Sequence, residues 1–120
     1  MDIGIDVLDI ARMERLADKE TFYKKYFTDN EAAYIKASAN VPQMLAGYYS
    51  CKEAFLKAVG IGIGRGIDLK DIEIGYTALG RPEIRLTDKA TEVFNNHGYS
   101  KISISITDSQ SVSVAACIVY

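Results

Sequence analysis

Hydrophobic and polar positions follow two periods along this chain, and the change of period marks out its elements. Residues 3–7, "IGIDV", alternate apolar with small or acidic side chains, which predicts a short first strand. From residue 10 the period lengthens: Ile10, Met13 and Leu16 fall at helical spacing, and Arg12, Arg15 and Lys19 form a second, basic stripe at i, i+3 and i+7. In "FTDNEAAYIKAS", Thr28 followed three residues later by Glu31 is a capping box, so a helix starts there and runs to about Ser38. "NVPQMLAGYYSCKEAFLKAVG" has Pro42 near its first turn and Gly60 at its end, the expected asymmetry of a long helix. Its buried side would carry Leu45, Tyr48 or Tyr49, Ala54 or Leu56, and Val59.

The period shortens again in the second half. "DLKDIEIGY" and "EIRL" read as strands joined by the turn "LGRPE", with Gly80 and Pro82. "TDKATEVFNNHGY" reads as a helix capped by Thr87 or Asp88 and stopped by Gly98. "SKISISIT" and "SVSVAACIV" close the chain as a hairpin about "DSQ"; in the first, Ile102, Ile104 and Ile106 alternate with Ser103, Ser105 and Thr107. No linker, repeat or low-complexity tract interrupts the sequence. The expected architecture is one α+β domain over residues 1–120, its helical first half packed on a mainly antiparallel sheet.

Composition narrows the function classes. A length of 120 residues suits one domain, and 48% hydrophobic with 25% charged residues is ordinary for a folded protein. With 14 Lys plus Arg against 16 Asp plus Glu, the net charge of -2 argues against a nucleic-acid coat. Cys51 and Cys117 lie far apart with no Cys-x-x-Cys spacing, so both are expected as buried thiols in a reducing compartment. The start "MDIGIDVLDI" lacks the basic stretch of a signal peptide, and there is no apolar run of about 18 residues. A cytoplasmic protein with no membrane partner is the expectation.

The candidate chemistry centres on Glu53 and Lys57. Four apart on one helix, they make either a solvated ion pair of about 0.2–0.5 kcal/mol or a metal ligand followed by a phosphate contact. Magnesium takes one or two carboxylates and fills its other positions with water and phosphate oxygens; Asp6 in the first strand is the candidate second carboxylate, its alternative being a simple strand-end acid. The glycines at 60, 62, 64 and 66 follow a helix and match neither a P-loop nor a dinucleotide loop. They either lie against a nucleotide or simply turn the chain. The one histidine, His97, sits at a predicted helix end, where a structural role outweighs a catalytic one.

The segments "GIDVLDIAR", "FTDNE", "LAGYYSCKEAFLKAVGIGIG", "GRPEIRL" and "SISIT" occur in an order and spacing that resemble the bacterial holo-[acyl-carrier-protein] synthases, the small 4'-phosphopantetheinyl transferases. The resemblance spans nearly the whole chain. It implies Mg²⁺-dependent transfer of 4'-phosphopantetheine from coenzyme A to a serine of an apo acyl carrier protein, with release of adenosine 3',5'-bisphosphate. By matching positions, Asp6, Glu53 and Lys57 are implied as the catalytic residues, Asp6 and Glu53 binding the metal and Lys57 the pyrophosphate. Gly60, Gly62, Gly64, Arg81, Pro82, Ser105 and Thr107 are implied to meet the donor. Arg12, with Arg15 beside it, is implied to engage the acidic carrier protein, and a homotrimer with sites between subunits is the implied assembly.

Three segments depart from the family pattern. Tyr48 stands where the family has arginine, Ile106 where it has histidine, and "SANVPQ" where it is rich in Lys and Arg. All three changes remove cationic or hydrogen-bonding groups from the nucleotide-phosphate end, and one lost charged hydrogen bond costs about 1.5–3 kcal/mol. The alternatives left by the residues are an enzyme with altered nucleotide contacts, a donor lacking the 3'-phosphate, and a catalytically impaired paralogue acting as a binding or regulatory protein.

Overall fold

One long helix, α4 (Val41–Val59), lies across a three-stranded sheet, and the remaining elements are arranged about that contact. The computed structural model describes residues 1–62 and 64–120. In chain order the other elements are β1 (Asp2–Asp9), α1 (Ile10–Glu14), α2 (Glu20–Tyr26), α3 (Asp29–Lys36), a 3-10 turn (Leu69–Asp71), β2 (Ile72–Tyr76), β3 (Pro82–Leu86), α5 (Asp88–Asn96), β4 (Ile102–Asp108) and β5 (Val112–Val119). The sheet order is β1-β5-β4, β2 and β3 form a separate hairpin, and every pairing is antiparallel. This is the expected single-domain α+β architecture.

Register decides which side chains meet the helix. Gly4 lies opposite Cys117 and Cys117 opposite Ile104; the next row on the same face is Asp6, Ala115 and Ile106. Ala115, Cys117 and Val119 are fully buried on that face. The free thiols of Cys51 and Cys117 both lie in this core. On the other face Ile3, Ile5 and Val7 are exposed by 62%, 57% and 62%.

β1 approaches α4 more closely than any side chain permits. A Cβ placed on Gly4 would lie 2.1 Å from the Ala54 carbonyl oxygen and 2.5 Å from the Ala58 nitrogen. The neighbouring atoms are helix backbone, so strand and helix must part to admit even a methyl group. Gly4→Ala is therefore expected to cost about 1–3 kcal/mol, the range for overpacking, read by urea denaturation. A variant as stable as the parent would refute the close approach.

The capping box is present: the Glu31 N–H donates to Thr28 Oγ1 at 3.2 Å and the Thr28 N–H to Glu31 Oε1 at 3.0 Å. Glu31 reaches further, because its Oε2 accepts from the Ile74 N–H at 2.9 Å and its Oε1 from Lys52 Nζ at 2.7 Å. Lys52 spends its other two protons on the carbonyls of Tyr26 and Leu69, each at 2.9 Å. Both side chains are fully buried, and burial pulls the Lys52 ammonium below the usual lysine range. One ammonium thus ties α2, α3, α4 and the 3-10 turn together, and Glu31 adds β2. α4 itself starts at the Asn40 cap and stops at Gly60, whose φ of 81° only glycine adopts readily.

Three local expectations change. β1 extends beyond residues 3–7 at both ends, and α2 is a helix that the apolar pattern does not mark. The basic stripe is not one helix face: α1 ends at Glu14, so Arg15 and Lys19 lie beyond it. On α4, the residue buried at the first ambiguous position is Tyr48, with Tyr49 half-buried, whereas Ala54 and Leu56 are both buried.

Candidate active site

Asp6 points from β1 toward α4, where Lys57 Nζ meets its Oδ1 at 3.0 Å and also donates to the Ile5 carbonyl at 3.2 Å. Among the described residues, the ion pair of Lys57 is with Asp6 across the seam, not with Glu53 along its own helix. The Asp6 side chain is 15% exposed and that of Lys57 55%, so the carboxylate sits inside and the ammonium at the rim. Glu53, half-buried one turn earlier on α4, has its carboxyl raised above the usual range, first by burial and then by the negative charge of Asp6. Lys57 and the Tyr49 hydroxyl oppose that shift. Tyr49, four residues before Glu53, has its own hydroxyl pushed up to about 12 by burial and by the Glu53 charge.

Two carboxylates that repel one another, faced by a single ammonium, leave the cluster short of positive charge. No group of three or more His, Cys, Asp or Glu capable of holding a metal occurs among the described residues. Two carboxylates are a donor set compatible with a hard dication that completes its shell with water and phosphate oxygens, as Mg²⁺ does. It does not fit zinc, which calls for a fuller set of nitrogen and sulfur ligands.

A second group of residues gathers beside the β2–β3 hairpin. Arg81, Pro82 and Ser105 line a cavity of about 910 Å³ between the hairpin turn and the edge strand β4. The turn is held by the Thr77 N–H donating to the Arg81 carbonyl at 2.8 Å, and by Gly80 at a φ of 82°. A smaller cavity of about 500 Å³ shares Gly80, Pro82 and Ile106 with it and adds Tyr48, Tyr76 and Asp108. There Tyr48 stacks on Tyr34 at 6.1 Å and lies 6.4 Å from Tyr76, ring centre to ring centre. Burial drives its hydroxyl far above the ordinary tyrosine range.

The remaining sequence candidates lie elsewhere. Thr107 is on the face of β4 opposite Ile106 and lines neither cavity. Gly60, Gly62 and Gly64 follow the C-terminal end of α4 beyond Lys57 and face open space, with nothing within 4 Å of a Cβ at any of them. Ile63, inside the same glycine stretch, lies outside the described residues. Arg12, Arg15 and Lys19 surround a depression of about 220 Å³ floored by Leu16, so the basic cluster forms although the helix ends early. His97 Nδ1 is 2.9 Å from the Val93 carbonyl, in keeping with a structural role at the end of α5.

Sequence reasoning missed Tyr49, Gly4 and the Glu31–Lys52 pair. Tyr49 was readable as the i−4 neighbour of Glu53, and Lys52 as a charged residue seven positions after buried Leu45 on the same helix face. Gly4 gave no such signal, because its role depends on a helix fifty residues away.

Against this geometry, comparison with known proteins gives a consistent result. The family model of the 4'-phosphopantetheinyl transferase superfamily matches residues 2–117. A holo-[acyl-carrier-protein] synthase of Syntrophus aciditrophicus is 39% identical over 117 residues, covering 96% of this chain and 91% of that protein. The crystal structure of the holo-[acyl-carrier-protein] synthase from Neisseria meningitidis superposes with a TM-score of 0.92 at 29% identity, covering 99% of this chain and 97% of that one. The enzyme of the same name from Helicobacter pylori, solved in complex with coenzyme A, gives 0.86 at 28% identity, with 98% and 99% covered. A match that runs from β1 almost to the end of β5, in sequence and in fold alike, leaves one assignment: the chain belongs to the 4'-phosphopantetheinyl transferase superfamily.

Proposed function

We propose that this protein transfers the 4'-phosphopantetheine group of coenzyme A to a serine of an apo acyl carrier protein, with Mg²⁺, releasing adenosine 3',5'-bisphosphate. The observation that carries this reading is the convergence of Asp6, Glu53 and Lys57 from β1 and α4. Phosphoryl transfer asks the protein chiefly for positioning and for neutralisation of charge on the transferred group. Bound Mg²⁺ would supply much of that neutralisation at the pyrophosphate oxygens.

The chain's own residues have distinct tasks. Asp6 and Glu53 hold the metal, and the close β1–α4 seam at Gly4 fixes their separation. Lys57, paired with Asp6 but largely exposed, presents a compact charge to the pyrophosphate. Arg81, Pro82 and Ser105 contact the nucleotide end of the donor, Thr107 flanks them, and the Gly60, Gly62 and Gly64 loop leaves open space next to Lys57. Arg12 and Arg15 steer the acidic carrier protein toward the site, since complementary charge speeds and orients encounter.

A homotrimer would complete this arrangement. Asp6 lies on one edge strand of the sheet, β1, with Glu53 beside it on α4, and the hairpin cavity lies against the other edge strand, β4, so a site between subunits would join one copy's metal ligands to its neighbour's nucleotide contacts. The exposed apolar face of Ile3, Ile5 and Val7 favours such an assembly. A cytoplasmic location suits the two unbonded thiols, and no helix among the described residues is long and apolar enough to cross a membrane.

Intact-mass analysis of an apo carrier protein incubated with the protein, coenzyme A and Mg²⁺ is the test. The carrier is expected to gain one phosphopantetheine arm, and a chelator is expected to stop the gain. An unmodified carrier, while the Syntrophus aciditrophicus relative works alongside, would overturn the reading.

A further inference from the structure

Asp6 and Glu53 are held in different ways. Asp6 is fixed by the Lys57 ammonium at 3.0 Å and by the close seam at Gly4, whereas Glu53 forms no ion pair among the described residues. A long acidic side chain left to itself must be ordered by the metal it binds, which weakens the binding. One neighbour can order it beforehand. Tyr49 precedes Glu53 by one turn on the same face of α4. Its ring stacks on Phe22 of α2 at 5.8 Å and meets Tyr26 edge-on at 5.9 Å, ring centre to ring centre. Those contacts need only the ring. The hydroxyl reaches the Glu53 carboxylate as a hydrogen-bond donor and pulls that carboxyl down, against burial and the charge of Asp6. Burial, and then the Glu53 charge, push the hydroxyl up to about 12, so it keeps its proton at neutral pH. The charge of Arg12 on α1 reaches the same hydroxyl and opposes that shift. Every group in this contact belongs to one chain, so it does not wait on assembly.

We infer that Tyr49 is a positioning residue, whose hydroxyl holds one oxygen of the Glu53 carboxylate so that the other is presented to the metal. This role rests on the proposed metal-assisted transfer, and it gives α2 a part in the site, since that helix supplies the two rings that aim Tyr49. Carboxylates that bind metals are themselves oriented by hydrogen bonds, and losing the orienting group typically weakens the metal about 10- to 100-fold. A neutral hydroxyl suits the task better than an ammonium, because it fixes the carboxylate without cancelling the charge that attracts a dication. Lys57 does not duplicate it, since its ion pair is with Asp6. Tyr49 itself touches neither substrate nor metal in this role; it acts through Glu53.

The test is Mn²⁺ binding to the full chain, followed by electron paramagnetic resonance of the free ion, with coenzyme A present and the carrier protein omitted so that nothing turns over. Tyr49→Phe keeps the ring and is expected to raise the Mn²⁺ dissociation constant about tenfold. Tyr49→Leu also loses the contacts with Phe22 and Tyr26; it should be less stable in urea, with Mn²⁺ bound no better than by Tyr49→Phe. With the carrier restored, the Mg²⁺ concentration for half-maximal rate should rise by a similar factor in Tyr49→Phe, while the KM for the carrier stays in place. A Tyr49→Phe dissociation constant within about twofold of the parent's overturns the positioning role and leaves the transfer reaction standing. So does a loss confined to Tyr49→Leu, which assigns the effect to packing, or a rise in carrier KM alone, which puts the hydroxyl against the carrier. A parent that transfers the arm but binds no Mn²⁺ removes the metal pair, and the role of Tyr49 with it. If the parent binds Mn²⁺ but transfers no arm, the transfer reading falls and the comparison of metal affinities still decides Tyr49.

Discussion

Replacing Lys52 with methionine is expected to destabilise the protein by about 3–5 kcal/mol, the cost of stranding a buried charge by removing its partner. The Lys52 ammonium satisfies three acceptors, the carbonyls of Tyr26 and Leu69 and the Glu31 carboxylate. Methionine fills similar volume and offers no donor, so the loss is electrostatic rather than a packing defect. Glu31 would retain the backbone N–H groups of Thr28 and Ile74 but would face the interior with its charge uncompensated. Urea denaturation of the single variants and of the Lys52→Met/Glu31→Gln pair completes the argument. Glu31→Gln should cost less in the methionine background than in the parent, because the charge it removes is by then a liability. A Lys52→Met loss below about 1 kcal/mol would show that the pair contributes little more than a surface ion pair does.

Asp6→Asn is expected to lower kcat/KM by about 100- to 1000-fold, the range for removing one preorganised electrostatic contact in a transfer site. Asparagine keeps the shape and one oxygen, so the β1–α4 seam at Gly4 should stay closed. Two consequences separate this from general damage. The Glu53 carboxyl loses a repelling neighbour and moves down toward its ordinary range, and Lys57 loses its ion-pair partner. Initial rates over a Mg²⁺ titration are the measurement: the variant should need more metal and should remain slow when saturated, with unchanged far-UV circular dichroism. Activity within about threefold of the parent at saturating metal would remove Asp6 from the catalytic group.

What could be read in the sequence divides by distance along the chain. Local signals held: the Thr28–Glu31 capping box, the Asn40-to-Gly60 extent of α4 and the closing hairpin all depend on residues close in sequence. α2 escaped because its start has no side-chain cap and its seven residues are held by aromatic contacts, Phe22 and Tyr26 against Tyr49 of α4. Within the site, the choice of Asp6, Glu53 and Lys57 needed chemistry and the family resemblance. Their pairing did not follow, since the helical spacing suggests Lys57 with Glu53 whereas the fold gives it Asp6, 51 residues away. Lys52 shows the same limit from the other side. It adjoins Glu53 in the sequence and would pass for another surface charge, yet it is wholly buried against Glu31 of a different helix. Tyr48, absent from the family pattern as a tyrosine, becomes intelligible only with Tyr34 stacked on it and Tyr76 tilted against it.

The two buried cysteines bear on the donor in another way. Pantetheine ends in a thiol, and a thiol or its disulfide exchanges with any accessible thiolate it meets. Burial raises both Cys51 and Cys117 to about 12. At neutral pH both therefore stay protonated, and neither sulfur is open to attack. A thiol-bearing donor of the kind proposed would therefore meet neither cysteine as a partner for a mixed disulfide.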